Sequence, residues 1–87
     1  MRQKIRQMRI MPQYFFHLQN GTNTVRDTEG VELESLDEVC EEAKQSAREI
    51  MSEQILRGEA PKDSAFSVVD AHGRTVLTYP FKRALDD

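Results

Sequence analysis

One cysteine, two histidines and no tryptophan leave this 87-residue chain little from which to build an active centre. The single thiol, Cys40, cannot close a disulfide within the chain, which fits a reducing compartment. His17 and His72 stand in separate segments, so with one cysteine there is no zinc-ligand spacing. No apolar run approaches the roughly 20 residues of a membrane span. Four glycines and three prolines are too few for a fibrous or low-complexity chain. The length excludes a doubly wound nucleotide fold or a barrel enzyme. What remains, with 38% apolar and 31% charged residues, is one small globular domain.

Acids are missing from the first ten residues, where Arg2, Lys4, Arg6 and Arg9 give +4. The other 77 residues hold eight bases against all 15 acids, or −7. An acidic body repels phosphate backbones, so contact with nucleic acid is expected only through residues 1–10. That basic start lacks the apolar stretch and small-residue cleavage site of a secretory signal, being followed by Pro12, Gln13 and His17. The expected compartment is the cytoplasm. A second methionine, Met11, opens the strand-like part of the chain, so residues 1–10 read as a disordered extension.

Period-two alternation marks residues 13–19 as a strand, with Tyr14, Phe16 and Leu18 on one face and Phe15, His17 and Gln19 on the other. Asn20-Gly21 is a hairpin signal, and Thr24 to Asp27 fits a short return strand. Glu29-Gly30 turns the chain and Val31 to Leu33 runs extended. Ser35 and Glu38 form a capping box, in which each side chain reaches the other's backbone N–H. Leu36, Val39, Cys40, Ala43, Ala47, Ile50, Met51 and Leu56 then recur at helical spacing. Glu53 and Arg57 are spaced as an i,i+4 pair, and Gly58 is placed to stop the helix. Ala65 to Val69 and Arg74 to Tyr79 read as two further strands around the turn Asp70-Ala71-His72-Gly73. Pro80 ends the last strand, and Phe81 is expected to fold back into the core.

The expected fold is therefore α+β, in the order ββαββ: a four-stranded antiparallel sheet with one long amphipathic helix on one face. Residues 11–81 form the domain and 82–87 a polar tail. Two mismatches stand out. A helix from Leu36 to Arg57 is about 33 Å long at ~1.5 Å per residue, whereas six- or seven-residue strands span only ~20–23 Å. The overhang carries Ile55 and Leu56, next to Met51. The sheet face away from the helix also carries apolar groups, Phe15 and Val69, around His17. Exposed apolar groups of this kind mark interfaces. Phe15, His17, Val69, Met51, Ile55 and Leu56 are therefore the candidate interaction residues, for a homodimer or a protein partner.

Chemistry has weaker candidates. Ser67, Asp70 and His72 contain the residue types of a triad, but an exposed turn offers no buried acid and no oxyanion site. Cys40 lies on the apolar stripe among Glu38, Glu41 and Glu42, where a thiolate is disfavoured. Phe15, His17 and Tyr79 could stack bases, yet no Lys or Arg is interleaved with them. The acid-rich stretch from Glu29 to Glu42 is mainly helix-start chemistry, with some attraction for a basic partner. No catalytic residue, cofactor or metal is expected.

The run Met11-Pro12-Gln13-Tyr14-Phe15-Phe16-His17, with Asp27, Glu29-Gly30-Val31-Glu32-Leu33, Leu36, Ala43 and Ala47, Val69-Asp70, Gly73-Arg74 and Pro80-Phe81, resembles a family of short bacterial proteins of unknown function that open with M-P-x-Y-F-F-H. The resemblance spans residues 11–81 and implies no activity, cofactor or catalytic residue. It implies a start at Met11. A looser similarity is to the antitoxin half of bacterial toxin–antitoxin pairs, through the tyrosine-bearing first strand, Glu29-Gly30 and the capped helix. The DNA-binding tail of those proteins has no counterpart in Lys82 to Asp87. The alternatives to a general interaction module are therefore a toxin-neutralising module and nucleic-acid contact through the basic residues 1–10.

Overall fold

A computed structural model describes residues 11–60 and 63–86. The expectation for residues 1–10 lies outside them. The elements are β1 (Gln13–Asn20), β2 (Asn23–Val25), β3 (Val31–Glu32), α1 (Leu36–Leu56), β4 (Ser64–Asp70), β5 (Thr75–Pro80) and a closing 3-10 helix (Phe81–Leu85). The sheet is antiparallel, in the order β2-β1-β4-β5, with β3 also on β1. This is the expected α+β sheet and single long helix, with one strand more.

The fifth strand arises because the return strand is shorter than expected. β2 pairs with β1 only from Leu18↔Val25 to Asn20↔Asn23. The chain then leaves the edge at Arg26 and returns at Val31 to pair with Tyr14. Two short strands thus share one edge of β1, separated by the loop 26–30.

The core follows the alternation. Tyr14, Phe66, Val68 and Tyr79 from the sheet meet Val39, Ala43, Ala47 and Met51 from α1. The helical residues fall four apart on one stripe, and the two alanines let the helix lie close to the strands. Phe66 stands edge-on to Phe16, with centroids 5.8 Å apart, and tilted against Phe81 at 5.0 Å. Phe81 is buried as expected. The polar segment after it is ordered: the 3-10 turn puts Phe81 and Ala84 on one side, both buried against α1. Arg48 Nε donates to the Ala84 carbonyl at 3.1 Å, and the Arg83 guanidinium sits 5.0 Å from the Tyr79 ring centroid.

β5 carries a bulge. Val68 pairs with Leu77, but Val69 pairs with Thr75, so Val76 is an extra residue. The bulge allows the consecutive residues Val76 and Leu77 both to pack against the core.

Ser35 caps α1, its hydroxyl accepting from Glu38 N–H at 3.2 Å. The return bond differs from the expected box: Glu38 Oε1 accepts from Glu34 N–H at 2.7 Å, one residue before the cap. At the other end Gly58 adopts φ +78° and ends the helix. Arg57 pairs with Glu59, not Glu53, because the chain folds back after Gly58 and brings Glu59 Oε2 to 3.3 Å. Leu36 and Leu56 fall off the buried stripe and are exposed. No helix among the described residues is long and apolar enough to cross a membrane.

Candidate functional site

The open face of the sheet carries a cleft of about 350 Å³ between the loop 26–30 and the β4–β5 turn. Phe15, His17 and Val69 form its floor, and Arg26, Asp27 and Asp70 its sides. Register explains the convergence. Phe15 lies opposite Val69 and His17 opposite Ser67, so these four side chains leave the sheet on one face.

Asp27 organises one wall. Between the short pairings of β2 and β3, the Phe16 N–H has no strand partner on that edge. It donates to Asp27 Oδ2 at 3.0 Å, so a side chain replaces the missing ladder bond. The other oxygen, Oδ1, accepts from Glu29 N–H and Gly30 N–H, both at 3.1 Å, in an Asx turn. Asp27 N–H in turn donates to His17 Nδ1 at 3.0 Å. Gln13 Nε2 donates to the Glu29 carbonyl at 3.1 Å, and Leu33 N–H to the Pro12 carbonyl at 3.1 Å. The loop is thus clasped to β1 by Gln13, Phe16 and His17. Gly30 is required twice: its φ is +72°, and a Cβ there would lie 2.8 Å from Phe15 Cε2. The Phe15 ring is therefore half-covered by its own loop.

Burial raises the Asp27 carboxyl, but the amides of Phe16, Gly30 and Glu29 and the neighbouring His17 outweigh it and hold the group below its ordinary 3.8. Asp70 forms the second wall. Its Oδ1 accepts from His72 N–H and Arg74 N–H, both at 2.9 Å, and Oδ2 lies 3.5 Å from Arg74 Nε. The Arg74 amide, then the His72 amide and the Arg74 charge, keep this carboxyl below its ordinary 3.8 against a smaller opposing effect of burial.

The hydrogen bonds decide what the cleft can do chemically. A ring nitrogen that accepts from an amide carries no proton, so in the neutral imidazole the His17 proton sits on Nε2. A histidine base acting on Ser67 needs the opposite tautomer, with Nε2 free to accept. Both carboxylates are already committed to backbone N–H groups. His72 is exposed in the turn, and Ser67 lies across from His17 and away from Asp70 and His72, so the triad types do not converge. Among the described residues no three His, Cys, Asp or Glu side chains come together as a metal set. Cys40 is half-buried on α1.

Of the candidate interaction residues, Phe15, His17 and Val69 meet in the cleft. Met51, in contrast, is buried in the core on the stripe shared with Ala43 and Ala47 and presents no surface. Ile55 and Leu56 are 61% and 86% exposed at the helix end, on the other layer. The stacking trio is also undone: Tyr79 pairs with Phe66 and is buried on the helix side, while Phe15 and His17 face outward. Asp27 and Arg26 were the residues that sequence reasoning missed as site residues. The Asp-x-Glu-Gly spacing of an Asx turn was the available signal.

Fold and site together define a two-layer α+β domain with an open, partly apolar sheet face whose two carboxylates are held by backbone amides of the loops and of β1. The chain belongs to the family described as Domain of unknown function (DUF6894), whose profile matches residues 13–82. No curated protein and no solved structure matches the chain.

Proposed function

We propose that this domain is a non-catalytic protein-interaction module and that the open sheet face is its recognition surface. One observation carries this: Phe15, His17 and Val69 converge in a single open cleft while both carboxylates beside them are held by backbone amides. The cleft therefore offers apolar contact and a fixed hydrogen-bond donor, and no prepared acid–base pair. The alternative expected from the antitoxin likeness is a special case of the same role, with a toxin as the partner.

The test uses the full chain and its Val69→Glu variant, which places a charge on the cleft floor without touching the clasp. Sedimentation reads self-association, and affinity recovery reads foreign partners. The expected result is a partner, or a second copy, bound by the native chain and lost in Val69→Glu. Recovery and mass that are identical for the two proteins would remove the open face from the function.

A further inference from the structure

The clasp dictates the chemistry of what enters the cleft. Because His17 Nδ1 accepts from Asp27 N–H, the ring presents Nε2–H as a donor, and among the described residues no hydrogen bond is made from it. The surrounding charge gives no preference for an ion. Asp27, Asp70 and Arg26 line the cleft, and Asp70 is paired at 3.5 Å with Arg74, which lies outside the lining. With one acid paired to a base beyond the lining and the other set beside Arg26, the rim carries little net charge. The floor is the cross-strand pair Phe15 and Val69. An occupant must therefore be apolar on one side, carry a neutral acceptor beside the apolar group, and bring little net charge. An extended peptide supplies this in each residue, as a side chain next to an obligatory carbonyl acceptor.

We propose that the cleft binds an extended, uncharged peptide segment of a partner. One large apolar side chain rests on Phe15 and Val69, and a neighbouring main-chain carbonyl accepts from His17 Nε2–H. This rests on the interaction role proposed above and specifies what is recognised. It makes His17 a two-sided residue: Nδ1 holds the loop that forms the wall, and Nε2 reads the ligand.

The experiment is a selection of random linear heptapeptides on the full chain, followed by anisotropy titration of the enriched peptides. His17→Asn is the informative variant, because the Asn carbonyl oxygen occupies the place of Nδ1 and keeps an acceptor for Asp27 N–H while deleting the Nε2–H donor. Enriched peptides should share one Leu, Ile, Met or Phe among uncharged neighbours. Val69→Glu should abolish their binding, and His17→Asn should weaken it about tenfold, the worth of one hydrogen bond. A charged consensus, no enrichment, or affinities unmoved by both variants would overturn the proposal. A second measurement stands apart from any variant: long-range ¹H–¹⁵N correlation of the native His17 ring must place the proton on Nε2, and a proton on Nδ1 sinks the donor assignment. If selection fails while Val69→Glu still abolishes capture of a folded partner, the peptide is wrong and the interaction role stands. If capture and self-association are also absent, both fall.

Discussion

Two aspartates flank the cleft and do the same kind of work at different range. Asp70 accepts from His72 and Arg74, two and four residues away, and closes the β4–β5 turn on itself. Asp27 accepts from Glu29 and Gly30 in the same local way, but its second oxygen holds Phe16, 11 residues back, and its amide is held by His17. The first is a turn; the second is a turn bolted to a strand. A carboxylate that satisfies a part-buried amide of a central strand matters more than one that organises an exposed loop, because the orphaned donor bears the full cost of desolvation.

The largest expected effect separates the glycines of the two regions. Gly30→Ala must adopt a left-handed backbone and push Phe15 aside, for a loss of roughly 2–3 kcal/mol. Gly73 has φ +82° and open space around its Cβ direction. Gly73→Ala should therefore cost only the backbone penalty, about 1 kcal/mol. Urea midpoints of the two variants compare them directly, and equal losses would mean that Phe15 does not press on the loop. Next, Asp27→Ala should cost about 2 kcal/mol by orphaning the Phe16 amide. Asp70→Ala should lower the midpoint by less, since its partners reach water. Amide exchange at Phe16 should accelerate in the first variant and not in the second.

The pH dependence is smaller and has a definite sign. Both carboxyls titrate lower in the folded chain than the ordinary 3.8. Their contribution is complete above that value and is lost as the pH falls below it through the folded values. The midpoint difference between the native chain and Asp27→Asn should therefore be constant near neutrality and shrink below pH 3.8. A difference that grows on acidification would contradict the amide contacts. The smallest effect is expected for His17→Asn, within about 0.5 kcal/mol of native because an acceptor remains for Asp27 N–H. His17→Phe removes that acceptor and should cost about 1 kcal/mol.

Local range also separates what was legible in the sequence from what was not. The Asn20-Gly21 hairpin, the Ser35 cap, the stop at Gly58 and the Asp70 turn involve residues within four positions, and each is visible as a spacing. Alternation told which way Phe15, His17 and Val69 point, because the side-chain period of a strand is two. It could not tell that Asp27 would leave the strand to hold Phe16, nor that the chain would return to β1 as β3. Those depend on contacts across 11 or more residues. The same holds for Ala84, whose burial is set by α1, and for Met51, which helical spacing alone leaves at the edge between core and overhang.

The bulge at Val76 has a further consequence, for growth of the sheet. A straight outer strand is a template on which another copy can add, and open-ended addition leads to aggregates. Here one edge is divided between β2 and β3, with a carboxylate bonded to the strand between them. The other is kinked at Val76 and stopped by Pro80, which has no N–H to give. Neither margin offers a long straight run, so neither gives a further copy the template that open-ended strand addition needs.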